Sequence, residues 1–585
     1  MRRRPLWVAL VVAVATVLAG CGGGLASDGP VQGGLEVGSG EDAPLTIVFP
    51  GPEPDATPES IVRGFLRAGA ASDGAYDNAR RFLTGEVAES WNPDETLVLL
   101  ATDTAPSVRI TGPTSVEVSS RAAGTVDSTG RYTAAAPGTR VTADFRLTSV
   151  EGQWRIDRIP EGFGRWITSN DVSRLVRPFA VHYVSTSSRS TVEDVRWFPL
   201  DRLATRLARA QLLPLPRHLE GAAVSAVPEG SRLLGDAVSV EAGVASVNLI
   251  STPLAPGEAT RQNLWAQFVS TLIQDPEVTA VRLASDGVPV EVSGVEGPVS
   301  SLTRVGFPAP EVDTSLAKPV VRRGSTVSVF DPGLSAQQQT RDPDPQTDLP
   351  EIPQTWTGLA QSADGAELAA VDVEADGVSR WRDGIRYEVP PPGTDVGAPA
   401  YDRRGFLWTG AVGDDARLFT VDVDADPADP EAAAPLPVAA SWLGDRRVAE
   451  AKVGADGDRV AVLSTLPDGS GPRVDLAGVI RGEGDRPERL SPPLRLGVEL
   501  SSASGLTWVD DSNVATIAGI GGEVAPTVLS VGGDMTRLSP VPGGVDVATT
   551  GADDLYVVTG SGLFMRAGSR WVDSGPGTDL AAPAG

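Results

Sequence analysis

The sequence predicts a multidomain, mainly β protein: two α+β domains in series, followed by a β-propeller of five or six blades. Three observations predict it. At 585 residues the chain has room for three or four domains of ~100–200 residues each. Two stretches in its first half pass from helix-spaced apolar residues to alternating strands. In its second half a tight turn feeding an apolar strand recurs five times.

The chain opens with Arg2, Arg3 and Arg4, an apolar run from Leu6 to Ala19, and its only cysteine, Cys21. A basic start, 14 apolar residues and small residues at the cut make residues 1–20 a secretory signal peptide. The run is shorter than the ~20 residues that span a bilayer. Leu18-Ala19-Gly20-Cys21 resembles the bacterial lipobox. The resemblance implies cleavage between Gly20 and Cys21, a diacylglycerol on the Cys21 thiol and an N-acyl chain on the new amine. Two or more acyl chains anchor stably where one anchors marginally. The expected location is therefore the cell membrane, lipid-anchored on its extracytoplasmic face. Residues 21–44, rich in Gly, Ser, Asp and Pro, read as a flexible tether.

Residues 45–165 read as the first folded unit. Thr57-Pro58-Glu59 sets an N-cap, a proline at the first helical position and an acid in the first turn. Ile61, Val62, Phe65 and Leu66 follow at helical spacing. Asp73 is placed to cap a second helix carrying Tyr76, Ala79, Leu83 and Val87. Beyond Pro93 the pattern turns to strands: Val141, Ala143, Phe145 and Leu147 alternate, Glu151-Gly152 turns, and Trp154 and Ile156 resume the buried face. Helices followed by a sheet ending in Gly152-Gln153-Trp154-Arg155-Ile156 resemble the NTF2-like cone fold.

Residues 175–300 form the second unit. A helix over 200–213 puts Leu203, Leu207 and Ala210 on one face and stops at Pro214 and Pro216. Strands over 238–240 and 244–249 flank Gly243. A helix over 258–274 carries Leu264, Trp265, Phe268, Val269, Leu272 and Ile273 as one broad stripe. A hairpin then crosses Asp286-Gly287. The order of these pieces, with Ala226-Val227-Pro228-Glu229-Gly230, Gly243-Val244-Ala245-Ser246-Val247 and the Trp265 helix, resembles the GerMN domain. That resemblance implies a non-catalytic module of the bacterial envelope.

Residues 310–585 read as the propeller: a Pro-, Asp- and Gln-rich segment, Asp331 to Pro353, reads as an exposed loop or linker, and the repeat lies beyond it. Turns at Asp364-Gly365, Arg404-Gly405, Asp456-Gly457, Asp511-Ser512 and Asp553-Asp554 each lead into an apolar strand, at intervals of 40, 52, 55 and 42 residues. A period of ~40–50 with several short strands suits a propeller blade, since a lone sheet cannot bury both faces. A sixth blade is expected to combine Val327–Phe330 with Leu563–Met565 and Trp571, closing the ring.

Composition excludes much. Net charge is −27, and −30 once residues 1–20 are removed, so nucleic acid is not an expected partner. One cysteine rules out an intrachain disulfide and a cysteine-ligated metal centre. Lysine occurs only at Lys318 and Lys452. His182, in an apolar strand, reads as a core or interface residue, and His218, after Pro216-Arg217, as a solvated loop residue. No His-pair motif exists and no metal site is expected. Ser315-Leu316-Ala317-Lys318 spells the acyl-enzyme motif S-x-x-K, but Pro319 follows the lysine and no K-T-G exists. Asp372, Glu374, Asp376, Gly377 and Asp383 mimic a calcium loop, yet lack flanking helices and a glutamate at the twelfth position, so a hairpin is expected. Tyr132, Asp144 and Asp157 are conceivable acid–base participants in a cone pocket; isolated acids are mostly satisfied surface groups. No catalytic residue is assigned, no cofactor beyond the Cys21 lipid is expected, and the chain is expected not to be an enzyme.

Lipobox, tether, helix-plus-sheet module, GerMN-like domain and propeller, in that order, are similar to the actinobacterial LpqB lipoprotein family. The resemblance implies a membrane-anchored accessory protein that binds the extracytoplasmic sensor domain of a two-component histidine kinase of the MtrB/MtrA type and modulates cell-envelope signalling. Propellers also host enzymes. The competing expectation is an envelope glycan-binding protein or hydrolase working in the propeller channel. The contact surface is not legible from sequence.

Overall fold

The first expected helix runs Pro58–Ala70, and Ser60 N donates to Thr57 Oγ1 at 3.2 Å, the cap that the sequence predicts. The computed structural model describes residues 50–70, 76–102, 105–250, 257–308, 317–341, 349–551 and 554–583. This helix buries Ile61, Val62, Phe65 and Ala68. They pack on a sheet whose spine, Ser115–Asp127, pairs with Thr96–Leu100 on one side and Arg140–Val150 on the other. Phe65 meets Trp91 and Phe145 edge-on, with centroids 5.0 and 6.0 Å apart.

The second expected helix is instead two short ones, Asp77–Arg80 and Gly85–Ser90. Between them Leu83 bridges Ile156, and Thr84 N donates to Ile156 O at 2.9 Å. The sheet edge takes the backbone groups that a continuous helix would have used internally. Asp73 lies outside the described residues.

In the next domain Val176–Ser185 and Thr191–Pro199 form a long hairpin. Val244–Ile250 and Ala280–Ser285 pair in parallel, joined by the crossover helix Glu258–Leu272. Leu207, Leu264, Phe268 and Leu272 are fully buried between sheets and helices. The Asp286-Gly287 turn has φ of 50° and 81°, the positive values of a two-residue hairpin loop.

Six sheets follow. Five occupy residues 356–388, 400–437, 447–496, 502–537 and 544–576. Each sequence turn falls between the first and second strand of one of them; Asp553 lies outside the described residues. The sixth is Thr326–Val329, Val320–Arg323 and Asp579–Ala581. This corrects the expected closure: Leu563–Met565 and Trp571 belong to the fifth sheet. The ring closes where Arg322 donates to Asp579 Oδ2 at 2.9 and 2.6 Å. An apolar-run search misses a three-residue strand fixed by an ion pair.

The expected linker is partly folded, with a helix at Ala336–Arg341 packed on the outer strand Arg570–Pro576. The calcium-loop mimic is a hairpin in which Asp372 Oδ1 accepts from Glu374 N and Asp376 N. No helix among the described residues is long and apolar enough to cross a membrane.

Candidate functional site

The innermost strands of the ring line a channel. Arg447–Val453 contributes Glu450 and Lys452, Ser502–Asp510 contributes Thr507 and Trp508, and Gly544–Thr549 contributes Asp546 and Thr549. All three strands slip register, at Val448/Glu450, Ser504/Thr507 and Gly544/Asp546. Bulges re-aim side chains and concentrate beside active sites. Here Glu450 and Asp546 line one cavity of about 130 Å³.

Glu450 Oε2 accepts from Leu506 N at 3.1 Å and stands 3.9 Å from Lys452 Nζ. Gly505 has a φ of +66°, and a Cβ there would lie 2.3 Å from Asp546 Oδ1, so only glycine admits the carboxylate to the bulge. Burial, reinforced by Asp546, pushes the Glu450 carboxyl up to about 8. Burial also raises Asp546. The channel thus joins an acid protonated at neutral pH, a cation and the hydroxyls of Thr507 and Thr549, 3.2 Å apart. Such a set can hold a polar ligand and give it a proton. Tyr401, also in the wall, is committed: its hydroxyl donates to Glu367 Oε1 at 2.6 Å.

A second charged centre lies where the three domains meet. Asp194 is fully buried on the strand Thr191–Pro199. Arg196 Nε donates to it at 2.7 Å and Arg131 Nη2, from the first domain, at 3.0 Å. Burial acts to raise its pKa, but Arg196, Arg131 and His218 outweigh burial and hold the carboxyl below its usual range. Neighbouring bonds reach the propeller: Trp197 Nε1 donates to Gly532 O at 3.2 Å, Ser187 Oγ to Asp458 Oδ1 at 2.8 Å and Ser491 Oγ to His218 O at 2.6 Å. Gly130 has a φ of +83°, and a Cβ there would lie 3.0 Å from Trp197 O, so the first domain reaches the hairpin through a glycine.

Gly20, Cys21 and Ser315 lie outside the described residues. His182 is an interface residue, with its imidazole pKa lowered by burial and by Arg459 against Glu193. His218 is not solvated: it sits 4% exposed in the turn Arg217–Leu219. Burial drives its pKa down to about 4, with Asp194 opposing and Arg131, Arg459 and Arg196 assisting. A contact with Ser491, 273 residues away, could not be read from the local sequence. Tyr132, Asp144 and Asp157 share no site. The Tyr132 hydroxyl donates to Ala123 O at 3.0 Å and its ring stacks on Trp197, Asp144 is exposed, and Asp157 pairs with Arg146 at 3.1 Å. Among the described residues no cluster of three or more His, Cys, Asp or Glu is placed to hold a metal. The channel residues went unnoticed in the sequence. The available signal was Lys452, one of two lysines, on the same strand face as Glu450.

Three family models match this chain. They are the LpqB N-terminal domain over residues 51–173, the sporulation and spore germination domain over 180–291, and the LpqB beta-propeller domain over 334–584. A Lipoprotein LpqB from Thermobifida fusca is 26% identical over 95% of this chain and 93% of its own length. One from Streptomyces coelicolor is 26% identical, covering 88% and 86%. Among solved structures, a nidogen/laminin complex chain aligns at a TM-score of 0.31 and 14% identity, over 45% of this chain and 93% of that one. By class, two α+β domains leading into a propeller make this a multidomain propeller protein. The chain belongs to the LpqB lipoprotein family.

Proposed function

We propose that the protein is a non-catalytic accessory lipoprotein that binds the extracytoplasmic sensor domain of a two-component histidine kinase and alters its signalling state. One observation carries this reading: the buried Asp194 node and the bonds around it lock both α+β domains to the propeller. A body locked in this way presents fixed faces, and binding changes signalling only by favouring one kinase state. Cleavage after Gly20 and acylation of Cys21 supply the membrane anchor. Acylation at two or more chains holds a protein stably at the bilayer. That confines the protein to partners standing near the bilayer and raises their effective concentration. The test is crosslinking in intact membranes followed by purification of the lipoprotein. A sensor kinase is expected with the wild type and is lost with Cys21→Ser. Recovery of cell-wall glycan with no kinase would overturn the reading.

A second reading rests on the three aligned bulges: an envelope glycan binder, or a hydrolase with Glu450 as its acid, working in the channel. It requires Glu450→Gln and Lys452→Met to weaken retention on purified cell wall, or to stop release of reducing ends. Wild-type behaviour in both variants would remove it.

A further inference from the structure

At the three-domain junction a groove of about 310 Å³ opens beside Asp194. Arg131, Arg196, Arg217 and His218 line it, and Pro216 and Pro493 form apolar walls. Each domain supplies part: Arg131 comes from the first, Arg196, Arg217 and His218 from the second, and Pro493 from the propeller.

We propose that this groove binds an oxyanion, a phosphate or carboxylate group, borne on a small ligand. Arg131 and Arg196 face the buried Asp194 carboxylate and Arg217 adds a third guanidinium at the rim, against the two carboxylates Asp194 and Asp127, so the groove keeps surplus positive charge. The donors around it are not used up. Arg131 Nη1 is buried without a hydrogen-bond partner among the described residues. His218 is 4% exposed, and its Nε2 stands 3.5 Å from Asp194 Oδ1 without forming a hydrogen bond. Arg217 makes no side-chain hydrogen bond or ion pair among the described residues, and its side chain is exposed at the rim. Buried donors left unmade are destabilising, and an oxyanion is the group that satisfies several guanidinium and imidazole N–H groups at once.

The rest of the molecule sharpens the contrast. A chain of net charge −27 repels anions over most of its surface, so a positive groove is where an anion accumulates. Arg196 is 4% exposed and already oriented by Asp194 and by the Tyr183 hydroxyl at 3.3 Å, so its guanidinium needs no rearrangement to serve as the floor. A ligand seated there touches all three domains and favours the locked arrangement. The inference stands apart from kinase binding, since it requires no partner protein.

Only two histidines exist, which gives a clean readout. The full-length lipoprotein in detergent micelles, with histidine ring carbons labelled, is titrated with inorganic phosphate at constant ionic strength. The His218 signal is expected to shift saturably in the millimolar range, with His182 unmoved. Arg217→Gln, at the exposed rim, is expected to weaken the response at least tenfold, and Arg131→Gln at least as much. Acetate and glycerol phosphate, run in parallel, separate a carboxylate from a phosphate-bearing ligand, and saturation by either supports the site. An equal shift with chloride means an adventitious ion only and overturns the proposal. So does a shift shared by both histidines, a response unchanged in Arg217→Gln, or no saturable shift at all.

Discussion

The junction and the channel bury charge in opposite balance. At the junction Asp194 is surrounded by guanidinium, and its carboxyl sits below the usual range although burial works the other way. In the channel Glu450 and Asp546 share a single lysine, and both carboxyls are raised. The difference lies first in the charges around each group and then in hydrogen bonding to the charged form. Asp194 accepts from Arg196 and Arg131, whereas Glu450 has the backbone N–H groups of Leu506, at 3.1 Å, and Gly505, and an ammonium 3.9 Å away. The first arrangement stabilises the fold as it stands. The second is retained at a cost in stability, which is where function is to be sought.

Removing the junction carboxylate should have the largest effect. Asp194→Asn removes the buried carboxylate that pairs with both Arg196 and Arg131. Breaking a buried pair by deleting one partner costs about 3–5 kcal/mol. Urea unfolding of the full chain should show a loss of that size, with the domains coming apart before the propeller unfolds. A loss below about 1 kcal/mol would mean that the node is not what joins the domains.

The mirror experiment in the channel should have the opposite sign. Glu450 carries a folded pKa of about 8 against an ordinary 4.5, so between those values the folded state holds a proton that the unfolded chain has released. Stability contributed by this group therefore falls as pH rises through that window. Glu450→Gln removes this group's share of the slope, leaving that of Asp546, and should stabilise the protein by up to about 4 kcal/mol at pH 8 and by nothing near pH 4. Melting temperatures across that range check it, and a variant that gains nothing at pH 8 would erase the contrast with Asp194.

His218 sharpens the comparison from the acid side. Its folded pKa, about 4, lies below the ordinary 6.5, so the unfolded chain takes up the proton first as pH falls. Stability should decline between pH 6.5 and 4 by on the order of 3 kcal/mol. His218→Asn should flatten that window while leaving the Glu450 slope at higher pH intact. A decline that persists unchanged in the variant would assign it to other groups.

Much of the fold was legible because it is local. The Thr57 cap, the Asp286-Gly287 hairpin, the crossover helix and the five propeller turns each rest on a few consecutive residues whose chemistry fixes their geometry. What was not legible is what depends on distant partners. The Leu83–Ile156 bridge that splits a helix, the Arg322–Asp579 closure and the burial of His218 are set by contacts 73, 257 and 273 residues apart. The channel failed for another reason. Glu450 and Lys452 look like an ordinary solvated pair on a strand, and only the slipped registers of three strands bring Asp546 beside them.

The smallest expected effect belongs to the cone-like first domain, whose acids the sequence offered as conceivable catalysts. Asp157 pairs with Arg146 at 3.1 Å, but the arginine side chain is 53% exposed, so water competes for both partners. Exposed pairs contribute about 0–1 kcal/mol, and Asp157→Asn keeps an acceptor for the guanidinium. The variant should therefore unfold within about 0.5 kcal/mol of the wild type, and the difference should vanish at high salt. A loss approaching that of Asp194→Asn would show a third buried charge centre in the first domain and would return Asp157 to the candidate catalytic residues.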